Sequence, residues 1–193
     1  MGLVHKAFVA TAVFVFLFGT AVAIALPRHT PEIRLPSAIP SELIIPVDGV
    51  VASNLVDTWG AARSQGRKHE GIDIVARAGA PVKAAAAGRI AKLFQSERGG
   101  TTIYEFDQGG HLIFYYAHLL AYAPGLREGQ MVKQGQLIAF VGSSGNATTP
   151  HLHFEIQRAA VPGQWWRGVA LNPFMPLKTA HLPDTSAAVA SAQ

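Results

Sequence analysis

The order of residues along this chain predicts an all-β fold, and two observations carry that expectation. Short runs rich in β-branched, aromatic and aliphatic residues cover 82–94, 101–107, 111–119, 136–141 and 152–157. Glycine-bearing turns separate them, and Asp107-Gln108-Gly109-Gly110 between two runs is a hairpin signal, so neighbouring strands are expected to be antiparallel.

From the N-terminus, Ala7 to Leu26 contains no charged residue and is flanked by Lys6 and by Pro27-Arg28-His29, the composition of a targeting segment. It is long enough to cross a bilayer, yet Ala21-Val22-Ala23 and Ala23-Ile24-Ala25 are both small-x-small patterns of the kind signal peptidase cleaves. Residues 1–26 are therefore expected to be a signal peptide or a membrane anchor, and either would export the rest of the chain. Residues 27–42 carry Pro27, Pro31, Pro36 and Pro40, which resist helix and sheet and favour an extended linker. The folded domain is expected at 43–177. Within it, Ala84 to Ala87 would favour a helix by propensity, but Gly79, Pro81 and Gly88 bracket it too tightly, leaving small residues in a crowded strand. Residues 178–193, ending in the small-residue run Ser186 to Gln193, carry few large apolar groups to bury and read as a disordered tail.

Composition bounds the chemistry. Cysteine is absent from the 193 residues, so there is no disulfide framework and no thiolate ligand or nucleophile. Metal chemistry must then use histidine and carboxylate. The formal net charge of +4 favours approach to an anionic polymer or surface. Nucleic acid is not the expected partner, because the basic residues are scattered apart from Arg63, Arg67 and Lys68, and no nucleic-acid motif accompanies them.

Three short pieces supply that chemistry. His151 and His153 alternate along one run, as do His69, Gly71 and Asp73, so each set would share a strand face. His69, Asp73 and His153 would give three ligands of the kind Zn²⁺ accepts, leaving a fourth tetrahedral position for water or substrate. Gly71, between the first two, has no side chain to crowd an ion. Tyr116-Ala117-His118 would put a phenol and another imidazole on one face.

On these residues the chain resembles the lysostaphin-type, LytM-like zinc endopeptidases that cut peptide cross-links in bacterial peptidoglycan. The HxGxD element is met at His69, Gly71 and Asp73, the YxH element at Tyr116 and His118, and the HLHFE element at His151 to Glu155. The resemblance runs from about Pro46 to Pro173 and includes Gly79-Ala80-Pro81-Val82, Gly142-Ser143-Ser144-Gly145 and Asn172-Pro173. It implies an open antiparallel β-sandwich or barrel-like pair of sheets, a duplicated hybrid motif. Ala80-Pro81-Val82-Lys83 against Gln130-Met131-Val132-Lys133 is a short internal echo consistent with that duplication.

The resemblance further implies Zn²⁺ as cofactor, with His118 and His151 catalytic beside it; Tyr116 and Arg63 are placed as substrate contacts. Glu155, on the face of His153, could orient that ligand. Water would be the nucleophile, one of His118 and His151 taking its proton while the other hydrogen-bonds the developing oxyanion. Activity would decline below about pH 6, near the ordinary histidine pKa. The expected partner is the stem peptide of peptidoglycan, with the membrane added if the first segment stays uncleaved, and the expected location is the cell envelope, whether periplasmic, membrane-anchored or secreted.

Two rival classes fit the sequence less well. A lipoyl- or biotinyl-type carrier would need a modifiable lysine in the hairpin after Val132-Lys133-Gln134-Gly135-Gln136, and no lysine occurs between Lys133 and Lys178. A LytM-like module that activates another wall hydrolase without its own catalysis usually lacks a ligand residue. This chain keeps all three.

Overall fold

The computed structural model describes Ile39 and residues 43–179. The targeting segment at 1–26, the linker apart from Ile39, and the chain from residue 180 lie outside the described residues. Among those described, no helix is long and apolar enough to cross a membrane.

The described residues form nine strands in chain order: β1 (Ile72–Val75), β2 (Pro81–Lys83), β3 (Gly88–Ser96), β4 (Gly100–Asp107), β5 (Leu112–Tyr122), β6 (Met131–Val132), β7 (Leu137–Val141), β8 (His151–Ala159) and β9 (Gly168–Leu171). A short helix, α1 (Phe174–Lys178), closes the domain. Every ladder is antiparallel. The main path runs β1-β8-β5-β4-β3-β6, with β9 on β8 and β7 joining β2 to β5. The all-β antiparallel expectation holds, and hydrogen bonding joins the strands into one open sheet. The cause is β5: residues 112–117 pair with β8, and from Leu119 onward the strand pairs with β7 instead.

Alternation builds the core and the site from the same strands. Ile72 and Ile74 on β1, Leu152, Phe154 and Ile156 on β8, and Leu112, Phe114 and Tyr116 on β5 are all at most 2% exposed. Burying each such side chain stabilises the fold by about 1.5–3 kcal/mol. The register sets Ile72 and Tyr116 beside Phe154, and Asp73 and Ala117 beside His153. The residues between the core positions therefore share the opposite face of the sheet, and that face carries the chemistry.

The run 82–94 is not one strand. Between β2 and β3 the chain bends at residues 85–87. Ala84 and Ala85 are fully buried there, and their backbone groups bond outside any ladder: Ala84 N–H to the Gln136 carbonyl and Ala85 N–H to the Tyr116 hydroxyl. Small side chains are needed because this bend packs inside the core.

Candidate metal centre

His69 lies just before β1 and is held by the preceding loop. Its N–H donates to the Ala61 carbonyl, and its own carbonyl accepts from Gly60 N–H, both at 2.9 Å. Its Nδ1 faces the Thr58 carbonyl at 2.7 Å, while the Thr58 hydroxyl accepts from Asp73 N–H at 3.0 Å. One threonine thus orients two elements of the site. His153 sits opposite Asp73 in the β1–β8 register, and its Nε2 faces Glu155 Oε1 at 2.8 Å. Glu155 is held in turn by Gln157, whose amide donates to Oε2 at 2.5 Å.

These partners determine the tautomers. A carbonyl or carboxylate oxygen can only accept, so His69 carries its proton on Nδ1 and His153 on Nε2. The remaining nitrogens turn inward. His69 Nε2 and His153 Nδ1 are 2.8 Å apart, and Asp73 Oδ1 lies 3.1 Å from the first and 3.2 Å from the second. Arg63 binds the other oxygen of Asp73 at 2.5 Å.

His118 and His151 stand beside this cluster, their rings 4.9 Å apart and the His118 ring 5.9 Å from His153. Each has its Nδ1 on a carbonyl, Ser144 at 2.9 Å for His118 and Thr149 at 2.8 Å for His151. Both therefore keep a bare Nε2. His118 reaches the site through its backbone, with φ of +61°, a conformation uncommon outside glycine. It forms part of a bulge in which the β4–β5 register advances by two residues on β4 and three on β5, from Ile103–Tyr116 to Thr101–Leu119. Its N–H donates to the Gly99 carbonyl at 2.8 Å.

The bulge corrects two expectations. Tyr116 and His118 do not share a face. Tyr116 is fully buried, donating to Glu105 Oε2 at 2.7 Å and accepting from Ala85 N–H, so it is not placed to touch substrate. Tyr115 lines the cleft instead, with Arg63 and the four histidines, in a hollow of about 420 Å³. Gly71 also has a packing reason: a Cβ there would run into the Phe154 carbonyl and the Glu155 side chain, so glycine lets β1 and β8 close up.

Electrostatics follow the contacts. Burial would raise the Asp73 carboxyl, but His153 and His69, when a second proton sits on the nitrogen that faces it, hydrogen-bond and attract it and hold it well below the usual range. Burial likewise opposes charge on His153, while Asp73 and Glu155 raise its pKa to about 9. His118 goes the other way: burial lowers it to about 4, against the pull of the Ser144 carbonyl.

The signature of Peptidase family M23 matches residues 67–173, which contain all four of these histidines and Asp73. The chain belongs to Peptidase family M23. It is 38% identical over 117 residues to the L-Ala--D-Glu endopeptidase of Bacillus subtilis, covering 56% of this chain and 36% of that protein. It is 33% identical over 127 residues to an uncharacterized metalloprotease of Haemophilus influenzae, covering 66% of this chain and 24% of that protein. The solved catalytic domain of the antimicrobial peptidase lysostaphin from Staphylococcus simulans aligns with a TM-score of 0.56 at 30% identity, over 67% of this chain and 96% of the other. The chain thus spans about a third or less of the curated relatives' length.

Membership in the M23 peptidases implies a metal, and the donor set fits one. Ligand atoms about 2.0–2.1 Å from a tetrahedral Zn²⁺ lie roughly 3.3 Å from one another. The three inward atoms are separated by 2.8, 3.1 and 3.2 Å. With both far nitrogens committed to acceptors, three lone-pair-bearing atoms converge, an arrangement that repels itself unless a cation or shared proton lies between them.

Proposed function

We propose that this M23 peptidase is a zinc-dependent endopeptidase that hydrolyses peptide cross-links of bacterial peptidoglycan in the cell envelope. The observation that carries the reading is the convergence of His69 Nε2, Asp73 Oδ1 and His153 Nδ1, with both imidazoles oriented by outer acceptors. Bound there, Zn²⁺ supplies Lewis acidity, acidifying water and polarising a carbonyl.

The chain's own residues supply the proton chemistry. His118 and His151 each present a bare Nε2 to the cleft, so either can accept the proton that attacking water releases. The imidazolium so formed becomes a donor, able to stabilise the oxyanion and then return the proton to the leaving amine. Glu155 holds His153 in the ligating tautomer, and Arg63 occupies the Asp73 oxygen that faces away from the cluster.

The cleft rim narrows the substrate. Arg67, Lys68 and Arg98 line it beside Arg63, and of the acids there Asp73 and Glu155 are already engaged with imidazoles. Such a rim favours peptides that carry carboxylates, and the Bacillus subtilis relative is named for a bond to D-Glu. A D-alanyl cross-link to a diamino acid fits better than an uncharged oligoglycine bridge. The uncharged stretch from Ala7 to Leu26 supports export to that substrate.

Mass spectrometry of fragments released from purified sacculi of both wall types tests this. Fragments ending at the D-alanyl cross-link are expected from the directly cross-linked wall, abolished by chelation and restored by Zn²⁺. Zinc-loaded protein that releases no fragment from either wall would overturn the proposal.

A further inference from the structure

Beyond the cleft, along the same face of the sheet, lies a second hollow of about 410 Å³, lined by Tyr104, Gln157, Trp165, Trp166 and Arg167 among others. The loop between β8 and β9 carries its two indoles. Trp165 is seated on Tyr104 at 4.8 Å and on Phe94 at 5.7 Å, so its packing is accounted for by the sheet beneath it. Trp166 is different. It is 58% exposed, and its ring contact among the described residues is an edge-on approach to Trp165 at 5.6 Å and 80°. It does not seal the sheet edge either, because Val169 on β9 remains 65% exposed.

Two indoles at right angles, one fixed and one open, form an aromatic corner with an amide and a guanidinium beside it. The Gln157 amide is already engaged with Glu155, but an apolar partner would leave the Arg167 side chain at this corner unmatched. A pyranose ring matches both the indoles and the cation, stacking its C–H face on an indole while its hydroxyl and acetamido groups meet Arg167.

We infer that this corner is a sugar subsite, holding an amino sugar of the glycan strand while the attached stem peptide runs into the metal cleft. This rests on the proposed peptidoglycan substrate and extends it. The two sites are joined by a ladder of rings: Trp165 on Tyr104, Tyr104 on Tyr115 at 4.7 Å, and Tyr115 edge-on to His153 at 6.0 Å. Those steps make a path that about four extended residues would cover at roughly 3.3–3.6 Å each. A sugar on the corner would thus present the far end of its stem to the cluster.

The experiment uses two readouts. Titrating the full chain with a peptide-free oligomer of β-1,4-linked N-acetylglucosamine should give a saturable change in tryptophan fluorescence, lost in Trp166→Ala. Intact sacculi and a sugar-free cross-linked peptide are then compared as substrates. For Trp166→Ala, KM for sacculi should rise about three- to tenfold with kcat unchanged, the usual worth of one aromatic contact, while the sugar-free peptide is cut as by wild type. Trp166→Phe should recover part of the loss, which separates stacking from folding. No saturable signal with the oligomer, or an equal loss on both substrates, overturns the subsite. If wild type cuts neither substrate yet still binds the oligomer, the peptidase reading fails and the sugar site stands.

Discussion

Asp73 and Glu105 are carboxylates drawn into the same sheet and driven in opposite directions. Asp73, on the cleft face of β1, stands 3.1 and 3.2 Å from two imidazoles whose protonated forms hold it ionised despite burial. Glu105, on the core face of β4, is fully buried with only the Tyr116 hydroxyl against it, and its Oε1 has no hydrogen-bond partner. Burial raises its pKa to about 8, outweighing the opposing Tyr116 bond. Depth alone does not decide the charge of a buried acid. The number and charge of its donors do, so one face of the sheet is built for cations and the other for packing.

The largest effect should come from removing the ionised partner. Asp73→Ala takes away one of three converging donors and should bring bound metal and peptidase activity to background together. The core face is untouched, so the protein should still unfold cooperatively. Elemental analysis beside a thermal melt checks both, and wild-type metal content in this variant would refute the ligand assignment.

Glu105 should show the opposite signature, in stability rather than chemistry. Between about pH 4.5 and 8 the folded protein holds a proton that the unfolded chain has released. Its contribution is therefore complete below pH 4.5 and is lost as pH rises through about 8, a change of roughly a few kcal/mol at 1.4 kcal/mol per unit. Urea unfolding with chelator present should show stability falling across that window. In Glu105→Gln, which cannot ionise, the slope should flatten; an unchanged slope would mean that another group carries it.

A smaller loss is expected at His118, which the proposed mechanism places at the reaction but outside the three-donor set. His118→Ala should keep its metal and lose turnover by roughly a hundredfold. His118→Asn is the better control for the fold, because asparagine tolerates the positive φ at this position. With its pKa lowered to about 4, His118 stays mostly neutral at pH 5, and its own acid limb lies about two and a half units below the one an ordinary histidine would give. Metal retention is read by elemental analysis, and an emptied site would contradict the separation of roles.

Much of the fold and site is legible in the sequence because strands alternate. His151-Leu152-His153-Phe154-Glu155 already separates a face that can bind cations from one that fills a core, and Asp107 to Gly110 marks the β4–β5 hairpin. Alternation fails where tertiary contacts override that period. It sets Tyr116 and His118 together, but a bulge bonded to the Gly99 carbonyl turns the histidine to the other face. Ala84 to Ala87 has strand-sized neighbours yet bends, because its backbone partners lie in residues 116 and 136. Thr58 escapes a reading of the sequence altogether. Its role depends on a loop returning to the start of β1, and a lone threonine before Trp59 carries no signal of that.

The smallest effect tests the outermost layer of the contrast, where a carboxylate acts on the metal face without joining the donor triangle. Glu155 Oε1 accepts from His153 Nε2, and Gln157 holds its other oxygen. Glu155→Gln preserves the shape and leaves a carbonyl that can still accept, so the tautomer should survive. What is lost is the negative charge that makes His153 a stronger donor. Metal affinity should therefore weaken by about tenfold, near the lower end of what outer partners contribute, with the fold and saturated turnover close to wild type. Competition against a chelator of known affinity measures it directly. A loss as large as that of Asp73→Ala would place Glu155 in the donor set itself, whereas no loss would mean that the Nε2 contact orients nothing. Either result would redraw the line between the two layers of the site.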